Sequence, residues 1–452
     1  METASVTIGA GGTISGDARV NEALLLPRGA ALAAEFAPGV RSFAAGFWFP
    51  LGSRHEAARE RGFVHFVEHM AFKGTERRSA SLLSREIDRV GGYLNAFTDR
   101  DSICLHCQVP ASQWRLALDV LADMAFFSLF SDEDFERERE VIVSEILAAH
   151  DDPEESAHDE LLAAIWPGDP LSRAIAGEPE DLAAATRDAL YAFYRGSFEP
   201  DSLLVTAAGP VDPTAVADEL ARLLDSSAFD GRPHAPPRSE STPHFSAVRQ
   251  YRKASIGQVN YFEAIQLDPP FTFSDYYAFA ALNGLVGEAS SSRLFQSLRE
   301  ERGLCYSVYS GFSMGRSECL WLASANASLS RLPRLAAEMG RVLDGLGGAP
   351  LGEEECRDAR ERLLGSLDIA LDDPDFRMRR LARQVMFAGG YLGTEEAHDL
   401  ISALDTESID AARRRLFLGT VRARFAYGKR TAAAATALGL ETVDGPVGDT
   451  DE

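Results

Sequence analysis

What most restricts the fold of this chain is a repetition. The order of elements read along residues 22–224 begins again beyond residue 247. In the first half, short apolar runs set off by turns predict strands at Glu22–Pro27, Ala31–Phe36 and Ser42–Phe49. The dense apolar stretch Ala57–Phe72 predicts a helix. Ser79–Val90 predicts a second, closed by Gly91-Gly92 where a left-handed cap favours glycine. Tyr93–Thr98 and Ser102–Val109 read as a hairpin through Asp99-Arg100-Asp101. Helices follow at Ser112–Phe130, from Ser131-Asp132 to His150, and at Asp181–Tyr194; a strand at Ser202–Ala208 and a helix at Asp212–Leu224 complete the half. Asp230–Pro243 is rich in Pro, Ser and Gly and has almost no apolar periodicity, which is the composition of a linker.

After it come strands at Val248–Arg252 and Gly257–Gln266, helices at Ser274–Val286 and Ser291–Arg299 (ended by Gly303), and a hairpin of Tyr306–Phe312 with Glu318–Ala327. Several helices then run to Phe417, before a strand at Val421–Tyr427. The clearest parallel between the halves is helix, glycine, aromatic, strand, at Arg85–Asn95 and again at Arg293–Ser307. The expected fold is a duplicated α+β domain, each copy a mostly antiparallel sheet with helices packed on one face. Residues 1–228 form the first domain, 229–246 the linker and 247–452 the second. The acidic end from Val443 is expected to be disordered. A length of 452 residues agrees with more than one core.

The bulk properties narrow the function. A formal net charge of −24 argues against nucleic acid, which is bound through clustered Lys and Arg; it serves solubility first and is also compatible with basic substrates. Five scattered cysteines suggest reduced thiols and a cytoplasmic setting. Cys104 and Cys107 form a C-x-x-C match, but on a strand residues three apart point to opposite faces, so the two sulfurs are not expected to share a metal. The N-terminus has neither the basic-then-apolar look of a secretory signal nor the Arg-rich look of a transit peptide. No window reaches the ~18 consecutive apolar residues of a membrane span, and no membrane partner is expected.

The chemistry gathers in Gly62-Phe-Val-His65-Phe-Val-Glu68-His69-Met-Ala-Phe72. His65 and His69, four apart, share one helical face and can both reach one metal ion. Glu68 neighbours His69 and stands beside that ion, where a general base belongs. Taken alone, the pattern is equally open to two hydrogen-bonded core histidines. Catalytic zinc needs a third protein ligand. Helix residues Asp134–Leu147 offer Glu145, flanked by apolar Ile142-Val143 and Ile146-Leu147. Glu138 lies two turns earlier in nearly the same direction, suited to orienting a ligand and equally open to lying on a solvated face paired with Arg137 and Arg139. Glu136 and Glu140 read as a solvated face paired with Arg137 and Arg139.

With these residues in view, the chain resembles the pitrilysin, or M16, metallopeptidases. Their signature is H-x-x-E-H followed by a Glu ligand about 76 positions on, and here 145 − 69 = 76. The likeness extends to Phe72-Lys73-Gly74-Thr75, Gly92–Thr98 and Ser291–Val308, and spans roughly Leu24–Tyr427. The size and two-domain plan resemble the subgroup of mitochondrial processing peptidase and its bacterial relatives, and the likeness implies an M16/LuxS-like metallohydrolase fold. The resemblance implies one Zn2+ per chain on His65, His69 and Glu145, with Glu68 taking a proton from the zinc-bound water and passing it to the leaving amine. It also implies a strand at Asn95 and Ala96 that receives the substrate by backbone pairing. Arg299 and Tyr306, seven apart, match an Arg and Tyr that hold substrate carbonyls. In that family the pair reaches the zinc from the other half of a clamshell, which for a chain of this length implies a homodimer enclosing a chamber for peptides or unfolded segments. Some relatives have lost the motif, so a non-catalytic or peptide-binding subunit is the alternative; the intact motif speaks for the enzyme.

Overall fold

The structure is a computed structural model, and it describes residues 20–225, 242–268, 271–315, 317–429 and 431–443. Most of the expected linker and the tail beyond 443 lie outside the described residues. The first sheet holds β1 (Leu24–Leu25), β2 (Ala31–Phe36), β3 (Ser42–Phe49), β4 (Tyr93–Thr98), β5 (Ile103–Pro110) and β6 (Leu204–Gly209). Their order is β1-β2-β6-β3-β5-β4, so β4 is an edge. Only the β2–β6 pair is parallel; the other pairs are antiparallel.

Strand β3 explains how this sheet is used. Its run Ser-Phe-Ala-Ala-Gly-Phe-Trp-Phe is apolar on both alternating faces, the pattern of a strand buried on both sides. Phe43, Ala45, Phe47 and Phe49 join one core with Phe66, Met70, Leu118 and Leu121. Each of the fully buried Phe, Leu and Met side chains contributes roughly 1.5–3 kcal/mol. Ala44 and Trp48 face the other way, with Ala31, Ala33, Cys104 and Ala208, and there they meet Met378, Leu381, Ala382 and Val385 of the helix Pro374–Ala388. Small residues let that helix approach closely: a Cβ added at Gly46 would come within 2.6 Å of Met378 Sδ. Cys104 and Cys107 sit in the clusters on opposite faces, as their spacing on a strand requires.

The helix covering that second face comes from the other half of the chain. The contacts divide the described residues into one compact unit of 20–148, 173–225 and 367–396, and another of 149–172, 242–366 and 397–443. The exchange is mutual, for the helix Pro153–Ile165 packs on the second sheet through Ala157, Leu161, Leu162 and Ile165. Both exchanged helices open with Asp-Asp-Pro. Asp152 accepts from the amides of Glu154 and Glu155, and Asp373 from that of Asp375. Proline at the first helical position needs no amide partner, so each motif starts its helix sharply.

The second sheet contains β7 (Arg249–Lys253), β8 (Val259–Leu267), β9 (Val308–Met314), β10 (Cys319–Ala327), β11 (Ala423–Gly428) and β12 (Glu441–Val443). Its order, β12-β7-β11-β8-β10-β9, repeats that of the first sheet, with a parallel outer strand in place of an antiparallel one. Both units are thus α+β, each a mixed sheet with packed helices. No helix among the described residues is long and apolar enough to cross a membrane.

Three local expectations change. The histidine-bearing helix begins at Phe63, not Ala57, because Gly62 takes a left-handed conformation with φ 79°. The segment expected as a helix at Ser291–Arg299 is π-wound over Phe295–Glu301. Strand β9 begins at Val308, which leaves Tyr306 in the preceding loop.

The exchanged helix in the first unit is tied to β2 by one carboxylate. Glu35 receives Arg380 Nη2 at 2.7 Å, Thr394 Oγ1 at 2.8 Å, and Arg377. Glu35→Ala is expected to lower the stability of this unit by about 3 kcal/mol in denaturant unfolding, because two largely buried guanidinium groups lose their counter-charge. Hydrogen exchange over residues 374–388 is expected to accelerate with it. Arg383→Ala, at an exposed position of the same helix, is expected to change neither.

Candidate metal centre

The site begins with a contact between two rings. Phe66 of the histidine helix stacks on Phe135 of the helix Asp132–Asp151, with centroids 4.8 Å apart and planes 5° from parallel. That second helix buries the stripe Phe135, Glu138, Ile142 and Ile146. Glu138 therefore sits within its apolar face, and Glu145, two turns on, stands at its border with a side chain 54% exposed. On the solvent side, Glu136 pairs with Arg139.

His65 and His69 lie with ring centroids 4.8 Å apart. Their Nε2 atoms face the Glu145 carboxylate, at 3.8 Å from His65 and 3.4 Å from His69. Among the described residues, His65, His69 and Glu145 are the one group of His, Cys, Asp and Glu whose ligand atoms could hold a metal, all within 4.8 Å of one another. A tetrahedral zinc with bonds of ~2.0–2.1 Å spaces its ligand atoms about 3.3–3.5 Å apart. Two imidazoles and a carboxylate at these separations fit such an ion. Burial, with His69 alongside, lowers the His65 pKa to about 4, so its ring is neutral and has a lone pair to give.

Partners orient these groups. His69 Nδ1 donates to Glu138 Oε2 at 3.2 Å, which fixes the tautomer that leaves Nε2 free for a metal. Glu138 is 3% exposed, and its other oxygen meets Lys73 Nζ at 2.6 Å. Glu68 lies beside the donor set, not in it. Its Oε2 accepts from Thr98 Oγ1 at 2.5 Å, and burial raises its pKa against the pull of that hydrogen bond. A carboxylate of raised basicity with one oxygen anchored and the other free is suited to taking a proton.

Thr98 ends β4, whose alternation puts Leu94 and Ala96 on its own face and Tyr93, Asn95 and Phe97 on the other. Asn95 is exposed on this edge strand; its Oδ1 accepts the Ala96 amide at 2.9 Å and its Nδ2 donates to Tyr93 Oη at 2.5 Å. Arg299 and Tyr306 belong to the second unit. There the Arg299 guanidinium lies 5.1 Å from the Tyr306 ring centroid and 4.7 Å from that of Phe295. Tyr306 is 77% exposed, so it is not a core aromatic.

Three participants escaped the sequence reading. Thr98 ends an expected strand and Lys73 lies in a stretch marked by its family likeness, and nothing in their spacing pairs them with Glu68 and Glu138. Glu56 is 4% exposed, and its carboxylate accepts the amides of Gly62 at 2.9 Å and Val64 at 2.8 Å. Burial pushes its pKa up to about 8, with the two amides pulling the other way.

Comparison with known proteins bears on the whole chain. Residues 32–179 match the family model described as Insulinase (Peptidase family M16), and residues 184–363 that of the Peptidase M16 inactive domain. An uncharacterized zinc protease of Mycobacterium leprae is 33% identical over 393 residues, 86% of this chain and 88% of its own length. One of Bacillus subtilis is 30% identical over 383 residues, 84% of this chain and 91% of its own. The crystal structure of a protease from Helicobacter pylori superposes with a TM-score of 0.80 at 18% identity, covering 91% of this chain and all of that one. At that identity the likeness speaks for the fold. The two matched domains and the relatives' identity over most of the chain assign it to a family: the protein belongs to peptidase family M16.

Proposed function

We propose that this chain is a zinc-dependent endopeptidase whose metal ligands are His65, His69 and Glu145. The observation that carries the reading is the convergence of those three donors with Glu68 adjacent and independently anchored. The names of the relatives as zinc proteases support the metal. When bound, zinc polarises the scissile carbonyl and lowers the pKa of water toward neutral. Glu68 takes a proton from the attacking water at Oε1, Oε2 being held by Thr98, and delivers it to the departing amine. Glu138 and Lys73 keep His69 in its ligating tautomer.

The substrate adds as a strand to the open edge of β4 at Asn95 and Ala96, gripped through its backbone and so with little dependence on sequence. Arg299 and Tyr306 hold substrate carbonyls and the developing oxyanion, supplied to each metal site by a second copy in a homodimer. The substrates are peptides or unfolded segments, and the net charge of −24 favours basic ones. Five free cysteines support a reducing, cytoplasmic setting.

Purified protein is expected to carry about one zinc per chain and to cleave an unstructured, fluorogenic basic peptide. Glu68→Gln should keep the zinc and lose about 10²–10⁴-fold in kcat; metal analysis beside the peptide assay checks both, and a mutant as active as the parent would remove Glu68 from the reaction. Glu138→Gln is expected to weaken zinc about 10–100-fold in competition with a chelator. Tyr306→Phe should lower kcat by about 10²-fold or more with KM nearly unchanged. A fall confined to KM would make Tyr306 a substrate-binding group only.

A further inference from the structure

The histidine helix has no cap of its own. Its N-cap residue, Gly62, carries no side chain, and a Cβ there would come within 2.4 Å of Ala176 O, so the usual Ser, Thr, Asp or Asn has no room. The first amides of a helix nevertheless need acceptors when buried. Glu56, six residues before the N-cap, supplies them: Oε2 takes the Gly62 amide and Oε1 the Val64 amide, the one immediately before His65.

The segment that carries Glu56 is itself tied down. Arg173 Nη1 donates to the Glu56 carbonyl at 3.2 Å. Just before it, the Ser53 and Arg54 amides donate to Asp99 O and Arg100 O, both at 3.2 Å, and Arg54 Nη1 pairs with Asp101 at 3.0 Å. Residues 99–101 form the turn that follows Thr98, the anchor of Glu68. One short segment thus joins the hairpin that holds the base to the helix that carries base and ligands.

We infer that Glu56 is a positioning residue that sets the histidine helix against the β4–β5 turn, so that His65 meets the metal and Glu68 meets Thr98 together. The inference rests on the proposed zinc reading for its consequence but not for its geometry.

The test uses the full chain as Glu56→Ala and Glu56→Gln, with two readouts besides activity. The first is hydrogen exchange of residues 62–69 in metal-free protein, and the second is zinc affinity by chelator competition. Glu56→Ala is expected to speed exchange of 62–69 at least tenfold while β2, β6 and residues 374–388 keep their rates, and to weaken zinc about 10–100-fold. Glu56→Gln keeps one acceptor oxygen and should fall between; it carries the test alone if the alanine variant does not fold. Zinc affinity and local exchange within twofold of the parent would overturn the inference. So would exchange rising evenly across the first unit, which marks a general stability role. If the parent chain takes no zinc, the metal reading fails, and exchange at 62–69 still decides the role of Glu56.

Discussion

The stacking of Phe66 on Phe135 is the contact on which the centre depends. It joins two helices whose ligands are 76 residues apart in sequence, and each helix already presents its polar groups at fixed offsets from its aromatic ring. His65 neighbours Phe66, and Glu138 lies three residues beyond Phe135. Once the rings are seated in the core, the geometry of the two helices carries His69 to Glu138 and both imidazoles to Glu145 without further adjustment. Packing of this kind is unforgiving of shape change, which is how an apolar contact can hold polar atoms to tenths of an ångström.

The polar residues of the site would be a liability in such a core if they were alone. His65 Nδ1 finds no partner among the described residues, but the others are arranged in short chains that satisfy one another, Lys73 to Glu138 to His69 and Thr98 to Glu68, and each chain reaches the metal-facing side. A buried network of this sort is stable only when complete, and it fixes orientation at the same time. The same principle recurs away from the site at Glu35, where one carboxylate gathers two arginines and a threonine and locks an exchanged helix onto the first sheet.

Much of this was legible in the sequence. Strand periodicity, the repeated element order and the H-x-x-E-H spacing point to two α+β units and to the histidine pair with Glu68 beside it, because those features depend on residues near each other in the chain; Glu145 as the third donor is what the family resemblance implies. The exchange of helices between halves was not read, although Asp151-Asp152-Pro153 and Asp372-Asp373-Pro374 mark it and the doubly apolar β3 required a cover on each face. Local propensity alone starts the histidine helix six residues early, because Ala57–Arg61 is a plausible helical continuation. The left-handed Gly62 and its distant neighbour Ala176 override that.

By itself, then, the sequence determined what is local and periodic: the elements, the repeat, and a helix face bearing two histidines with a glutamate beside them. Tertiary structure alone decided which carboxylate caps that helix, which hydroxyl anchors Glu68, which cation backs Glu138, and which half of the chain covers each sheet. Those partners are chosen by distance across the core, and no spacing along the chain encodes that distance.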